Sequence, residues 1–203
     1  MRAKAVLFDM DGVLVRSEEV WFRLVEEAGR RFRGRLVTRE EFSPTFGQGT
    51  EADVASFALR CTPAELDRFY LEEFFHHADG LWVNPEAAPL LDALCARGLL
   101  LAVVTNTVSS LAERILQAAQ LDTRVHQVSC ADLVPNAKPA PDLVLHACAA
   151  LKISPTDAWM VGDSRFDREA AQAAQVRFVG LGIEGDARIE RLVELEALLL
   201  KLA

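Results

Sequence analysis

Short, almost continuously apolar runs alternate with amphipathic helical patterns over most of the chain, and this alternation restricts its fold more than any other feature. The strand-like runs are rich in Val, Leu, Phe and Ala, and they cover residues 5–8, 99–105, 125–129, 158–162 and 176–181. Helical patterns cover residues 86–97, 109–119, 141–151, 166–174 and 187–202. Strands without polar alternation are buried on both faces, which is typical of a parallel sheet covered by helices. The predicted fold class is therefore α/β.

One long segment, residues 16–80, departs from this alternation. It has helical periodicity, with apolar side chains such as Trp21, Leu24, Leu66 and Phe69, and it contains no convincing strand. We expect residues 1–15 and 81–203 to form an α/β core, and residues 16–80 to form a helical cap inserted after the first strand. Ligands of open parallel sheets bind beyond the carboxyl ends of the strands, where such a cap would lie.

Composition limits the partners of the chain. Its 203 residues are 51% hydrophobic and 26% charged, which is ordinary for a globular protein, and the formal net charge is −8. This acidic balance argues against nucleic acid as a partner, and no apolar run is long enough to predict a membrane span. The four cysteines have no paired spacing, so we expect free thiols and a cytoplasmic location. Nothing in the sequence indicates the oligomeric state.

Polar residues with chemical potential follow the predicted strands. They are Asp9 and Asp11 after the first run, Thr105 and Asn106 after the second, Lys138 in a loop before a helix, and Asp163 and Asp167 after the fourth. Any one of them could be a helix cap. The carboxyl ends of parallel strands meet at one edge of a sheet, however, so we expect these side chains to converge.

Converging carboxylates need a counter-charge. Two of them about 4 Å apart repel by about 4 kcal/mol at an effective dielectric constant near 20. Oxygen ligands without His or Cys favour a hard cation, and a site with few protein ligands suits Mg²⁺, which also bridges to phosphate. Lys138 and Thr105 would supply the charge and hydrogen bonds that a phosphoryl group requires. One aspartate can act as nucleophile and another can transfer protons, but residue types alone do not rank Asp9 above Asp11.

Four motifs extend this hypothesis through a resemblance. The stretches "FDMDG", "VVTN", "KPAPD" and "GDSRFD" occur in this order and spacing. They resemble the four motifs of the haloacid dehalogenase-like hydrolase superfamily, and the helical insertion after the first motif resembles its phosphoglycolate-phosphatase-like branch. The resemblance implies a Rossmann-like core with a cap. It also implies a Mg²⁺-dependent phosphomonoester hydrolase that acts on a small phosphorylated metabolite through an aspartyl-phosphate.

The resemblance also implies roles for the acidic residues around the metal. Asp9 would be the nucleophile and would bind Mg²⁺ through its other oxygen. Asp11 would protonate the leaving oxygen and then activate water, while its backbone carbonyl binds the metal. Asp163 would bind the metal directly or through water.

The remaining motif residues would hold the phosphoryl group and the site. By the same resemblance, Thr105 and the backbone of Asn106 would bind phosphoryl oxygens. Lys138 would neutralise the nucleophile and the phosphate. Asp167 would support Lys138 and the metal shell.

Several residues help to separate related chemistries. Dehalogenases of the superfamily lack an acid at the position of Asp11, so Asp11 favours phosphate chemistry. Phosphomutases carry His at the position of Trp21 and Arg near Thr50, which favours a hydrolase here. A signalling receiver domain is a further alternative, although receivers place the phosphorylated Asp after a middle strand. The substrate stays open among phosphoglycolate, sugar phosphates and nucleotides. Residues 47–53 either face the substrate or form a plain helix–helix turn.

Overall fold

A computed structural model of the chain describes residues 3–201, which form a parallel sheet between layers of helices. The strands are β1 (Ala5–Phe8), β2 (Val15–Arg16), β3 (Trp82–Val83), β4 (Leu100–Thr105), β5 (Gln127–Cys130), β6 (Ala158–Gly162), β7 (Arg177–Leu181) and β8 (Ala187–Ile189). The main sheet has six parallel strands in the order β5–β4–β1–β6–β7–β8. The α/β, Rossmann-like fold class predicted from the sequence is confirmed.

Nine α-helices are present within the described residues. They are α1 (Glu18–Arg33), α2 (Arg39–Phe42), α3 (Thr50–Ser56), α4 (Pro63–Glu73), α5 (Ala87–Ala96), α6 (Ser109–Ala118), α7 (Asp142–Ala150), α8 (Arg165–Ala173) and α9 (Glu194–Lys201). No helix among residues 3–201 combines the length and apolar character that a membrane span requires.

Strand β1 lies at the centre of the sheet and of the core. It pairs with β4 on one side and β6 on the other, and all four of its side chains are fully buried. Val6 and Phe8 face one apolar cluster, whereas Ala5 and Leu7 face the other. Because the two faces are both apolar, the strand reads as a continuous hydrophobic run.

Residues 17–80, here called the helical insert, lie between β2 and β3. These two short strands pair antiparallel, Val15 with Val83 and Arg16 with Trp82, so the two connections to the insert run side by side. Arg16, which the sequence placed in a strand-free segment, therefore belongs to a strand. Helices α1 to α4 fill the insert, and α1 ends at Gly34 in the left-handed conformation, φ +77°. That the insert is a separate domain, with the predicted boundaries 16–80, stays a prediction.

Aromatic side chains pack the inside of the insert. The ring of Trp21 lies 5.2 Å from that of Tyr70 and 5.4 Å from that of Phe74, both edge to face. Helix α4 begins with a capping box in which Thr62 and Glu65 bond reciprocally, with Pro63 at the first helical position. The periodic apolar positions of α1 and α4 therefore meet each other.

The prediction of one helix over residues 187–202 is wrong in its first part. β8 pairs with the edge of β7, and α9 begins only at Glu194. The exposed Arg188 and buried Ile189 do alternate as in a strand, but three residues are too few for a period of two to stand out. Residue 202, and residues 1, 2 and 203 of the predicted core, lie outside the described residues.

Candidate active site

The carboxyl ends of three neighbouring strands bring the motif residues together. Asp9 directly follows β1, Thr105 ends β4, and Asp163 directly follows β6. The backbone N–H of Asp9 donates to the carbonyl of Val161 at 2.9 Å, so the chain is still tied to the sheet where the acidic side chain begins. The parallel register therefore determines where these side chains lie.

Lys138 lies at the centre of the site. Its ammonium nitrogen donates to Asp9 Oδ1 at 2.6 Å, to Asp167 Oδ1 at 2.7 Å and to the carbonyl of Val104 at 2.9 Å. The side chains of Lys138, Asp9 and Asp167 are 2%, 7% and 0% exposed. A buried ammonium is thus shared by two buried carboxylates, and the three charges depend on one another.

Burial and mutual repulsion shift the acid–base properties of this cluster. Burial raises the pKa of Asp9 well above its usual value, and the charge of Asp167 raises it further, while Lys138 opposes both. Burial, the largest cause, and the negative charge of Asp167, the second, raise the pKa of Asp163 to about 7. Burial alone would lower the pKa of Lys138, but the charges of Asp167 and Asp9 raise it. The acids outnumber the one ammonium, and an additional cation would favour their ionised forms.

Three carboxylates of the cluster are arranged as metal ligands could be. One oxygen each from Asp9, Asp163 and Asp167 lie within 4.8 Å of one another. Both oxygens of Asp167 already accept hydrogen bonds, one from Lys138 and the other from Ser164, so Asp167 is less available than Asp9 and Asp163. A donor set made only of oxygens fits a hard divalent cation.

Gly12 makes room for this arrangement. Its backbone has φ +88°, which L side chains rarely adopt, and a Cβ on Gly12 would lie 1.9 Å from Oδ2 of Asp163. Any larger residue would displace the Asp163 carboxylate. The glycine of "FDMDG" is therefore required both by the turn and by the acid opposite it.

The Asp11 side chain has partners outside the Lys138 cluster. Its Oδ1 accepts hydrogen bonds from the Ser17 hydroxyl and, at 2.9 Å, from the Trp21 indole nitrogen, both of the helical insert. Its Oδ2 accepts a longer bond, 3.4 Å, from the Thr107 hydroxyl. Burial raises the pKa of Asp11, while the bonds from Ser17 and Trp21 oppose the rise. The two aspartates of "FDMDG" therefore sit in different environments.

The loops after β4 and β5 are locked together by Asn106. Its side-chain nitrogen donates to the carbonyls of Gly47 at 2.9 Å and of Lys138 at 3.0 Å, and its Oδ1 accepts from the Lys138 backbone N–H at 2.8 Å. Thr105 Oγ1 accepts from the Thr107 N–H at 3.1 Å. The Asn106 side chain is thus committed to structure, which leaves its backbone as the group that could bind a ligand.

Asp167 is held in place by the start of α8. Ser164 and Asp167 form a capping box, in which the Ser164 hydroxyl contacts Asp167 Oδ2 at 2.5 Å and the Asp167 N–H donates back to Ser164 Oγ at 3.2 Å. Each of these two side chains therefore accepts a hydrogen bond from a backbone N–H at the start of α8. The same contacts orient the other Asp167 oxygen toward Lys138.

The core and the helical insert enclose a small cavity at the site. Its volume is about 40 Å³, enough for a few water molecules. Asp9, Asp11 and Lys138 line it from the core, and Trp21, Phe46 and Asp53 line it from the insert. Residues 47–53 therefore lie against the site, through Gly47 and Asp53; that they face a substrate stays a prediction.

Asp53 is a residue that the sequence analysis did not single out. It is 8% exposed, and its carboxylate accepts hydrogen bonds from Gln48 at 2.7 Å and from the Tyr70 hydroxyl at 2.9 Å. Burial raises its pKa to about 7. Thr107 and Ser17 were likewise missed, because no sequence pattern distinguishes a hydroxyl that contacts Asp11 from one that caps a helix.

The chain is similar to known proteins over most of its length. The family model described as haloacid dehalogenase-like hydrolase matches residues 3–175. The chain is 33% identical over 180 residues to the N-acetylmuramic acid 6-phosphate phosphatase of Pseudomonas aeruginosa, covering 86% of this chain and 79% of that protein. It is 33% identical over 193 residues to a phosphoglycolate phosphatase of Rhodospirillum rubrum, covering 87% and 78%.

The three-dimensional structure is similar to that of a crystallised protein. The CbbY protein of Rhodobacter sphaeroides, solved in complex with phosphate, superposes with a TM-score of 0.82. It is 26% identical in sequence, and the superposition covers 95% of this chain and 96% of that one. The similarity extends over the helical insert as well as the sheet.

Proposed function

Because the chain belongs to the haloacid dehalogenase-like hydrolase family, in its phosphoglycolate-phosphatase-like branch, we propose that it hydrolyses a small phosphomonoester through an aspartyl-phosphate, with Mg²⁺ as cofactor. One observation carries the proposal. The Lys138 ammonium bridges Asp9 and Asp167 at the end of β1, beside a cavity that Asp11 and Thr105 also line.

In the first step, the Asp9 carboxylate attacks phosphorus and the bond to the leaving oxygen breaks. Asp11 in its protonated form gives its proton to that oxygen, a role that its raised pKa supports. Lys138 stabilises the charges of Asp9 and of the phosphoryl group. Thr105 and the backbone N–H of Asn106 would bind phosphoryl oxygens, and the committed Asn106 side chain supports the use of its backbone.

In the second step, Asp11, now ionised, takes a proton from water, which attacks the phosphorus of the aspartyl-phosphate. Phosphate leaves and the Asp9 carboxylate is regenerated. The bonds from Ser17 and Trp21 favour the ionised form of Asp11 that this step requires. Since both donors belong to the helical insert, we propose that the insert is a cap, and that the acid is correctly held only when the cap covers the site.

Asp9, Asp163 and the backbone carbonyl of Asp11 would hold the metal, with Asp167 supporting the site. The all-oxygen set and the room that Gly12 leaves for Asp163 support a hard cation here. Mg²⁺ at this position would neutralise carboxylates and polarise phosphoryl oxygens. We also propose a cytoplasmic location, which the four free cysteines support.

The alternatives have less support. Trp21 donates from a nitrogen that does not titrate, and Thr50 donates to Asp67 at 2.6 Å, so the positions that carry His and Arg in mutases have other roles here. A receiver would keep its phosphoryl group. A hydrolase uses Asp11 as acid and base, and the raised pKa of Asp11 supports that use.

The test is release of phosphate from p-nitrophenyl phosphate by the purified protein. We expect turnover with Mg²⁺ and none with a chelator. Asp9→Asn should abolish it, whereas Asp122→Asn, the same change on an exposed turn, should leave it intact. Normal turnover by Asp9→Asn would contradict the proposal, as would a phosphoprotein that persists for minutes after treatment with acetyl phosphate.

A further inference from the structure

The cavity at the site and the cleft that leads toward it have an unusual charge distribution. The cleft, of about 610 Å³, lies between α3 and α4 of the insert and the loop that ends in Lys138, and both spaces have Lys138 in their walls. The cavity of about 40 Å³ is too small for an organic phosphate ester in its present form. A substrate would therefore approach through the cleft as the insert moves.

Among the charged side chains that line the two spaces, acids outnumber bases. Within the described part of the chain, the cavity is lined by Asp53 in addition to the catalytic aspartates, and the cleft by Glu51, Asp67 and Asp132. Among residues 3–201, Lys138 is the single cationic side chain in either wall, and its ammonium is already bonded to Asp9 and Asp167. No described side chain in either wall therefore offers a free positive charge to a negatively charged leaving group.

Asp53 is the acid of the insert that lies inside the cavity. Its position is set, because Gln48 and the Tyr70 hydroxyl each donate to one of its oxygens. The backbone N–H of Asp53 also donates to the carbonyl of Gly49, the residue that caps the start of α3, at 3.1 Å. A carboxylate oxygen can accept a second hydrogen bond, so each oxygen can still receive a donor from a ligand. The other described insert residues in this wall are uncharged and mostly apolar, namely Trp21, Val25, Phe42, Thr45, Phe46 and Gly47.

We infer that Asp53 selects for substrates whose alcohol part carries hydrogen-bond donors and no negative charge, such as a hydroxyl or an ammonium group. This inference rests on the proposed function. A hydroxyl or ammonium group can donate to Asp53, whereas a carboxylate placed there would meet a like charge with no compensating cation. The substrate of this chain would then differ from the carboxylate-bearing ester in the name of the Rhodospirillum relative.

Three small esters test this directly, because they differ mainly in the charge at one end. They are 2-phosphoglycolate with a carboxylate, 2-hydroxyethyl phosphate with a hydroxyl, and phosphoethanolamine with an ammonium group. Assays at pH 8 with excess Mg²⁺ keep Asp53 mostly ionised, since its pKa is raised to about 7. We expect kcat/KM for the hydroxyl and ammonium esters to exceed that for 2-phosphoglycolate at least tenfold.

The variant Asp53→Asn removes the charge and keeps the shape. It should reduce this preference at least fivefold, through a gain in kcat/KM for 2-phosphoglycolate. Glu40→Gln removes an exposed charge from the same insert, outside both spaces, and should leave the preference unchanged. A loss of fold would lower all three rates together and leave their ratio unchanged.

The outcomes separate this inference from the function on which it rests. If the wild-type protein turns over p-nitrophenyl phosphate but favours 2-phosphoglycolate, the inference is wrong and the phosphatase assignment stands. An unchanged preference in Asp53→Asn would also overturn it. If no ester releases phosphate, including p-nitrophenyl phosphate, the proposed function falls and the inference falls with it.

Discussion

The indole nitrogen of Trp21 lies 2.9 Å from Oδ1 of Asp11, so a helix of the insert directly contacts the side chain proposed as general acid and base. Burial raises the pKa of Asp11, and this hydrogen bond opposes the rise because it stabilises the ionised carboxylate. Trp21 also packs edge to face on Tyr70 and Phe74, and the donor is thereby fixed in orientation.

Replacing Trp21 with Phe should keep most of this packing and remove the donor. The pKa of Asp11 should rise, because a bond that favours its ionised form is lost. In a pH profile of kcat/KM, the alkaline limb, where Asp11 must still be protonated for the first step, should move to higher pH, and kcat should fall severalfold. Trp82→Phe, which alters an exposed indole outside the cavity, should leave the limb in place. Equal profiles for both variants would contradict the role of Trp21.

Gly12→Ala should weaken the binding of Mg²⁺, whereas its loss of folding stability should be similar to that of a control variant. A Cβ at this position would lie 1.9 Å from Oδ2 of Asp163. Gly98→Ala is a matched control, because Gly98 has a similar φ, +79°, and an added Cβ there would have no atom of residues 3–201 within 4 Å. Both variants should lose about 1–3 kcal/mol of stability from backbone strain. Calorimetric titration with Mg²⁺ should show weakened binding for Gly12→Ala alone, and equal affinity in both variants would count against Asp163 as a ligand.

Lys138→Met should abolish turnover and destabilise the fold by about 3–5 kcal/mol, because it leaves two buried carboxylates without their cation. Lys138 lowers the pKa of Asp9, so its removal should raise that pKa further. The lost stability should then be partly regained as the pH falls, since Asp9 binds a proton in the folded state. Urea denaturation at pH 5 and pH 8 measures this.

Two further variants control that experiment. Adding Asp9→Asn to Lys138→Met should recover stability at pH 8, because one of the two stranded charges is removed. Lys4→Met breaks an exposed ion pair with Asp157 and should cost less than about 1 kcal/mol at either pH. A Lys138→Met protein as stable as the wild type at pH 8 would show that the buried charges are not coupled.

Asp53→Asn should stabilise the protein, and more so at alkaline pH. Burial raises the pKa of Asp53 from 3.8 to about 7, with Asp67 adding to the rise and Gln48 and Tyr70 opposing it. An acid with a raised pKa in the folded state contributes stability that is present below pH 3.8 and is lost as the pH rises to about 7.

The asparagine amide of the Asp53→Asn variant does not ionise, so it avoids the cost of burying a charge at high pH. At about 1.4 kcal/mol per pKa unit, the gain of Asp53→Asn should be larger at pH 8 than at pH 5 by on the order of 3 kcal/mol. Thermal melting at the two pH values measures the difference, with Glu40→Gln as the control that should show none. A gain that does not depend on pH would mean that Asp53 is already protonated, or already solvated, throughout this range.

The sequence alone predicted the sheet and the residues at its edge. Apolar runs such as residues 5–8 and 158–162 have no polar face, and this pattern is sufficient to place them in a buried parallel sheet. Since parallel strands end at one edge, Asp9, Thr105 and Asp163 were expected at the same edge, and the strand order β4–β1–β6 makes them neighbours there. Asp167 follows from a capping pattern, Ser164 with Asp167 three residues later, that is itself local.

The local sequence pattern did not predict strand β8. Its three residues pair with β7, and the Phe178 N–H donates to Asp186 just before the strand at 2.8 Å. Pairing at a sheet edge is made by backbone hydrogen bonds to a neighbouring strand, which the hydropathy of three side chains does not encode. A short apolar and charged stretch next to a true helix is therefore read as part of that helix.

What the sequence by itself determined is the set of groups that can act on a phosphoryl group, because strand ends and helix caps are local in the chain. Only the tertiary structure decided which residues of the insert meet them. Asp53 and Trp21 lie on helices whose exposed and buried faces depend on how the insert packs on the core, and helical periodicity cannot distinguish a side chain in the insert's own interior from one that faces the cavity. The contact of Asp53 with Tyr70 depends on how α3 and α4 pack within the insert, and the contact of Trp21 with Asp11 exists because the insert meets the core over the end of β1.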